Sequence, residues 1–376
     1  MENNYEVLEF SFTDESVKIC LDKDKLADTI DYIISRANLN DIRDEVQKLL
    51  STIREDPLNN PWTADTSILT NGKCYRIDPE VFIGNLQQIF DTFSLDRTRY
   101  YLKRLKKSTL KIKTGKVNDI NLNRWKEYNH VNTDSLWIEK KRSRAGNHMA
   151  SYWGNFIPQI PQQMMLRFTK QREYVLDTFS GSGTTMIECR RLGRNGVGIE
   201  LNPEAAKNSR FVVESQENPF DVKTDVIEAN SATIDYKKVL DERGIKKVQL
   251  IVMHPPYYDI IKFSENGEDL SNAASVDDFL DRMDMIVRNS APALENGRYM
   301  CLVIGDKYTG GEWIPLGFYA MQRILSSGFY KLKSIVVKNF QETKGKRNQK
   351  ELWRYRALVG GFYLFKHEYI FLFQKE

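Results

Sequence analysis

The chain has 376 residues, 41% of them hydrophobic and 28% charged, the balance of an ordinary globular protein with room for two domains or for one large domain and an extension. No apolar run reaches the roughly 18 residues that a membrane span needs, and the opening MENNYEVLEF has neither the basic region nor the apolar core of a signal peptide, so the expected location is cytoplasmic. A net charge of +4 is too small to imply a polyanionic partner by itself; where the charges fall matters more. Cys20, Cys74, Cys189 and Cys301 are scattered without metal-ligand spacing. They are predicted to be free buried thiols in a reducing compartment, and no metal site is expected.

In chain order, the alternation over Tyr5 to Leu21 predicts a hairpin, with Val17 and Ile19 in its second strand. Two helices are expected next, one carrying Leu26, Ile30, Ile33 and Ile34, the other Ile42, Val46, Leu49 and Leu50, with Asp22 and Asn40 as N-caps. This portion is rich in Asp and Glu, which argues against its lying on phosphates. A loop from Asp56 precedes a helix with Phe82, Leu86, Ile89 and Phe90. The character then changes: Arg97, Arg99, Lys103, Arg104, Lys106, Lys107, Lys111, Lys113 and Lys116 crowd a stretch that also holds Tyr100, Tyr101 and Leu105. A solvated helix face and a phosphate-contacting arm are both open readings. Lys140, Lys141, Arg142 and Arg144 form a second basic cluster with the same two readings. The domain boundary is expected near residue 120, with residues 1–119 an α+β extension.

The stretch from Tyr174 to Glu200, YVLDTFSGSGTTMIECRRLGRNGVGIE, reads as a strand ending at Asp177, a turn Phe179-Ser180-Gly181-Ser182-Gly183, a helix, and a second strand ending on Glu200. Glycines in such a turn let backbone approach a ligand, and a carboxylate closing the second strand stands where a ribose diol can donate to it. A dinucleotide fingerprint would need its third small residue at Met186, so that version fits poorly. Before this unit, residues 159–168 are expected to be a helix with Met164, Met165 and Phe168 packed inward. Trp137 and Trp153 read equally as core aromatics, and His148 as a surface residue. After it come a helix from Pro203, a third strand over Val226 to Ser231 with Asn230 at its polar end, and a fourth strand that runs into His254-Pro255-Pro256-Tyr257. A helix over Phe279 to Leu294, a strand Tyr299 to Ile304, a helix Leu316 to Ser326 and strands near Ser334 to Val337 and His367 to Phe373 complete an alternating series.

A glycine loop of FxGxG form, an acidic second strand end and a later X-Pro-Pro-Tyr strand end, in this order, resemble the amino-methyltransferases that methylate the exocyclic amine of adenine or cytosine in DNA. The resemblance covers about the last 240 residues. It implies an α/β fold, a doubly wound, mostly parallel Rossmann-like methyltransferase sheet over 120–376, and S-adenosylmethionine as cofactor. It further implies that Asp177, Phe179, Gly181, Gly183, Glu200 and Asn230 bind that cofactor, and that Trp137, Asn155 and Pro158 line its methionine end. The family usually has Asp, Asn or Ser where this chain has His254, and commonly an acidic residue where it has Asn230.

An exocyclic amine is a poor nucleophile because its lone pair is delocalised into the ring. It needs acceptors that favour a more tetrahedral nitrogen. The Pro255 carbonyl can take one N–H, because two prolines after a strand leave it outside any ladder. His254 can take the other while its imidazole is neutral. Tyr257 offers an aromatic face for a flipped base. His254, Pro255, Pro256 and Tyr257 are therefore the expected catalytic residues, and Asp259 to Asn272 the segment expected to close over the base.

Sequence recognition is expected from the N-terminal extension, which could equally serve docking or dimerisation, and from a basic inserted loop over 341–356. The candidate nucleic-acid contacts are Lys103, Arg104, Lys106, Lys107, Lys344, Lys346, Arg347, Trp353 and Arg354. Double-stranded DNA is the expected partner, beside a cognate restriction or defence component and a second copy of the chain. An RNA base methyltransferase, a nucleotide-dependent oxidoreductase and a catalytically dead binding module are the alternatives.

Overall fold

Residues 18–64, 73–148, 154–339 and 350–376 are described by the structure, a computed structural model. The chain divides into a unit of residues 1–116 with 120–130 and a unit of 117–119 with 131–376. In the first, β1 (Ile19–Asp22) lies antiparallel to β2 (Cys74–Ile77), Ile19 opposite Ile77. The hairpin expected over Tyr5 to Leu21 falls mostly outside the described residues, and the partner that β1 finds is far along the chain. Helices α1 (Lys23–Ile34), α2 (Leu39–Glu55), α3 (Pro79–Phe90) and α4 (Leu95–Leu110) follow the 3.6-residue apolar spacing. Leu26, Ile30, Val46, Leu49, Phe82, Leu86 and Leu102 bury one shared core.

Two expectations in this unit are corrected. Asp22 caps α1 as expected, accepting from the Asp24 and Lys25 amides. The α2 cap, however, is Asn38, whose extended backbone (φ −129°) lets its side chain accept from the Asp41 amide at 2.9 Å; Asn40 is already inside the first turn. Cys20 and Cys74 are not free thiols but a disulfide. The β1–β2 pairing brings their Cα atoms to 5.6 Å, within the span such a bridge covers, and no sequence spacing reveals that pairing. Cys189 and Cys301 are free and buried.

The second unit is organised around an eight-stranded sheet. Its elements are β3 (Leu136–Trp137), α5 (Gln159–Phe168), β4 (Tyr174–Asp177), α6 (Thr184–Leu192), β5 (Asn195–Glu200), α7 (Pro203–Ser215), β6 (Thr224–Glu228), α8 (Tyr236–Asp241), β7 (Val248–Met253), α9 (Val276–Ser290), β8 (Leu294–Ile304), a small hairpin β9 (Lys307–Thr309) and β10 (Glu312–Ile314), α10 (Leu316–Ser326), β11 (Tyr330–Asn339), α11 (Lys350–Gly360) and β12 (His367–Lys375). The order across the sheet is β3-β11-β12-β8-β7-β4-β5-β6. Strands β8, β7, β4, β5 and β6 are parallel, and β12 runs antiparallel to both β8 and β11. The central strands are apolar on both faces, as a sheet covered on both sides requires: Leu250, Ile251, Val252 and Met253 of β7 are wholly buried.

The alternating series is thus the doubly wound sheet expected, with shifted boundaries. Strand β6 stops at Glu228, so Asn230 stands in the following turn. The segment expected as a basic loop over 341–356 contains the start of α11, so Trp353 and Arg354 are helical. Among the described residues no helix is long and apolar enough to cross a membrane, and no group of three or more His, Cys, Asp or Glu is placed to hold a metal ion.

Candidate active site

Parallel strands share one direction, so their carboxyl ends gather along one edge of the sheet, where connecting loops leave a crevice. Asp177 ends β4, Glu200 ends β5, and His254 directly follows β7. Because β12 runs the other way, its first residues, His367 and Glu368, meet the same edge, as do Lys338 and Asn339 at the end of β11. These ends surround a cavity of about 990 Å³ within the second unit.

On one side the cavity wall is the glycine turn. Asp177 is buried at the end of β4, and its Oδ1 accepts the Phe179 amide at 2.9 Å. Burial pushes its carboxyl up to about 6, against the pull of that amide. The Ser180 amide donates to the Ile199 carbonyl at 2.8 Å, tying the turn to β5. Gly183 has φ +80°, and a Cβ there would lie 2.5 Å from Ser209 Oγ on α7; this glycine is demanded by helix packing as much as by any ligand. Glu200 is held on both oxygens: Gly181 N–H donates to Oε2 at 2.7 Å and Asn202 N–H to Oε1 at 2.9 Å. Burial raises its pKa and the amides oppose the rise. Each carboxylate oxygen retains a second lone pair.

Phe179, Gly181, Glu200, Asn230 and Asn155 line this side. Asn230 is engaged at both ends, accepting from the Ala232 amide at 2.8 Å and donating to Glu268 at 2.9 Å. Asn155 Oδ1 accepts from Thr184 Oγ1 at 3.3 Å. Of the residues expected at the cofactor, Asp177, Gly183, Trp137 and Pro158 do not line the cavity. Trp137 is a buried edge-strand residue paired with Lys338 in register, its indole N–H donating to the Asp134 carbonyl at 2.9 Å. Pro158 forms the N-cap position of α5.

On the other side stand His254, Pro255, Pro256 and Tyr257. Phe156 packs edge-on against the His254 ring at 4.7 Å between centroids. Burial is the main cause that pushes the His254 pKa down from 6.5 to about 4; Glu368 opposes it and Lys338 adds to it. The ring is therefore neutral at neutral pH and keeps a nitrogen lone pair. The Pro255 carbonyl takes no backbone hydrogen bond from the described residues. Tyr257 is more than a flat ring: its hydroxyl lies 3.1 Å from His254 Nε2 and donates to Glu368 Oε2 at 2.8 Å, and burial raises its pKa. A Cβ on Gly305 would come within 2.9 Å of that ring, so glycine at the end of β8 makes room for it.

Sequence reasoning missed Glu368 and Lys338. The available signal was one carboxylate immediately before the apolar run Tyr369 to Phe373 and one lysine directly after Ile335 to Val337, charges abutting apolar residues.

The basic residues divide. Lys140, Lys141 and Arg142 line the cavity, and Arg142 Nη1 donates to the Phe156 carbonyl at 2.8 Å while its Nη2 is buried without a partner among the described residues. On α4 of the first unit, Lys103, Arg104 and Lys107 are exposed, but Lys106 is engaged in an ion pair with Asp31, and Arg99 donates to the Ile34 and Arg36 carbonyls. Lys344, Lys346 and Arg347 lie outside the described residues. Arg354 is exposed on α11, where Arg356 sits 5.2 Å over the Trp353 ring.

A mostly parallel sheet whose carboxyl edge joins a glycine turn, an acidic strand end and a Pro-Pro strand end around one cavity defines a Rossmann-like methyltransferase architecture. Residues 38–211 match the family described as DNA methylase, N6_N4_Mtase. The chain is 35% identical over 68 residues to the Type II methyltransferase M.MjaII of Methanocaldococcus jannaschii, covering 18% of this chain and 13% of that protein. It is 40% identical over 73 residues to the Type II methyltransferase M.Cfr9I of Citrobacter freundii, covering 19% and 23%. It is also 29% identical over 128 residues to a tRNA (guanine(10)-N2)-dimethyltransferase of Methanocaldococcus jannaschii, covering 33% and 34%. The chain thus spans no more than about a third of these relatives' lengths. Over these parts of its length the chain is similar to the DNA methylase (N6_N4_Mtase) family and to Type II methyltransferases.

S-adenosylmethionine is the methyl donor of that family, and the residues present fit it. The Glu200 carboxylate has lone pairs for a ribose diol, and Ile199, Leu201, Leu270 and Ile286 give the adjoining wall the apolar surface an adenine ring needs.

Proposed function

We propose that the chain methylates the exocyclic amine of a base in double-stranded DNA, N6 of adenine in preference to N4 of cytosine, with the base turned out of the duplex. One observation carries this reading: a neutral imidazole, His254, and the Pro255 carbonyl share a single cavity with Glu200 and the glycine turn. Two acceptors at the strand end take the two N–H bonds of the amine and turn its lone pair toward the cofactor side of the cavity. The cofactor supplies an electrophilic methyl group, which has to sit about 3 Å from the amine nitrogen for transfer. Glu200, Phe179, Gly181 and Asn155 hold the cofactor, and the Asp259–Asn272 segment excludes water over the base. Lys140, Lys141 and Arg142 supply positive charge at the cavity for the phosphates flanking the base, with Lys103, Arg104, Lys107 and Arg354 as further backbone contacts.

Transfer of labelled methyl from S-adenosylmethionine to unmethylated duplex DNA and, in parallel, to total RNA, followed by nucleoside mass spectrometry, tests the proposal. Label in N6-methyladenine is expected. Label in N4-methylcytosine would correct the base. The similarity to a tRNA dimethyltransferase favours an RNA amine as the second reading, and label confined to RNA would establish it.

A further inference from the structure

Four side chains from three strand ends form one continuous chain of contacts. Lys338 Nζ donates to Glu368 Oε1 at 2.8 Å, Tyr257 Oη donates to Glu368 Oε2 at 2.8 Å, and His254 Nε2 lies 3.1 Å from Tyr257 Oη. Lys338 and Glu368 are 5% and 4% exposed at their side chains, so neither charge is merely solvated surface. The sheet builds this arrangement directly: Lys338 and Glu368 are register partners on β11 and β12, Tyr369 is the partner of Ile304 on β8, and Leu302 of β8 is the partner of Met253, the residue before His254.

The direction of each hydrogen bond follows from which groups can donate. Ammonium has donors only and carboxylate acceptors only, so Glu368 accepts from Lys338 on Oε1 and from the Tyr257 hydroxyl on Oε2. The Tyr257 hydroxyl has one proton, and it points to Glu368. Its oxygen is then left to accept, so the nitrogen facing it, Nε2, must carry the proton of a neutral imidazole. The lone pair falls on Nδ1, and the ring makes no other hydrogen bond among the described residues.

We propose that Lys338 and Glu368 are positioning residues which, through the Tyr257 hydroxyl, lock His254 in the Nε2–H tautomer so that Nδ1 is the acceptor presented to the target amine. This rests on the methyl-transfer reading above for its purpose, but the tautomer itself does not. A carboxylate in the His254 position would need no such device, because both its oxygens accept. An imidazole accepts on one nitrogen only, and on the wrong one half the encounters would present a donor to a donor. On this proposal Tyr257 contributes through its hydroxyl as well as its ring.

The test uses the full chain with ¹⁵N-labelled histidine, the His254 signals being assigned by their loss in His254→Asn. Long-range ¹H–¹⁵N correlation reads which ring nitrogen is protonated. The expected result is the Nε2–H form alone in the parent, and a mixture of both tautomers in Tyr257→Phe, which keeps the ring, and in Glu368→Gln, which keeps the shape. In both variants kcat for methyl transfer is expected to fall by about tenfold or more, with the KM for S-adenosylmethionine unchanged. A parent in the Nδ1–H form, or variants whose tautomer stays pure Nε2–H, overturns the proposal. Absence of methyl transfer to any nucleic acid, with the tautomer pattern as expected, would instead sink the proposed function and leave the lock standing. Calorimetric binding of S-adenosylmethionine by each variant distinguishes a displaced tautomer from a collapsed cavity.

Discussion

The two sides of the cavity hold their key groups by different means. Glu200 is fixed by backbone amides, Gly181 from the turn between β4 and α6 and Asn202 from the turn after β5, so its support comes from one βαβ unit and its flank. His254 is fixed by side chains, through Tyr257 to a Glu368 that is 111 residues further along the chain from that tyrosine. Backbone donors hold a carboxylate whatever the neighbouring side chains are. A relay of side chains works only if every member is present and correctly protonated. The glycine-turn side is therefore the robust half of the site, and the His254 side the half that single substitutions can silence.

The largest expected effect lies on the His254 side. His254→Ala removes the side-chain acceptor and is expected to lower methyl transfer by about 10²–10⁴-fold with cofactor binding retained; single-turnover kinetics beside calorimetry checks it, and unchanged turnover would remove His254 from the site. Next comes the buried ion pair. Glu368→Ala removes the buried carboxylate that accepts from both Lys338 and Tyr257, and is expected to cost about 3–5 kcal/mol in denaturant unfolding, whereas replacing both Lys338 and Glu368 by Met should recover most of that loss. A smaller effect is expected on the other side: in Glu200→Gln one of the two amides faces an NH₂ rather than an oxygen, for about 1–3 kcal/mol of stability and weaker S-adenosylmethionine affinity by calorimetry. Equal losses from Glu200→Gln and Glu368→Ala would erase the contrast between the two sides.

The pH dependence sharpens the same contrast with the smallest change. Since His254 is pushed down to about 4 in the folded protein from an ordinary 6.5, its neutral acceptor form persists well below neutrality, and the kcat profile is expected to be flat from pH 8 to about 6 as far as this group is concerned. Activity dependent on it is lost as pH falls toward 4, where the imidazolium can no longer accept. The linkage has the matching sign: between these two values the unfolded state binds the proton and the folded state does not, so stability falls as pH drops from about 6.5 to 4. A kcat inflection near 6.5 that vanishes in His254→Ala would show that the ring is not desolvated.

Much of the architecture was legible before any coordinates. The β4–α6–β5 unit, with Asp177 and Glu200 at its strand ends, is written in consecutive residues, because a glycine turn and a 3.6-residue apolar period are local properties. His254-Pro-Pro-Tyr257 is local too, since two prolines end a ladder wherever they stand. The apolar faces of α1 to α3 could be read in the same way. Pairings between distant segments could not. Only the tertiary structure joined β1 to β2 and so Cys20 to Cys74, placed Trp137 on an edge strand away from the cavity, and brought Lys338 and Glu368 beside Tyr257. The physical reason is sheet register: which residue lies opposite which is set by the packing of whole strands against one core, and a lysine or glutamate in an apolar run carries no mark of the partner that burial will give it.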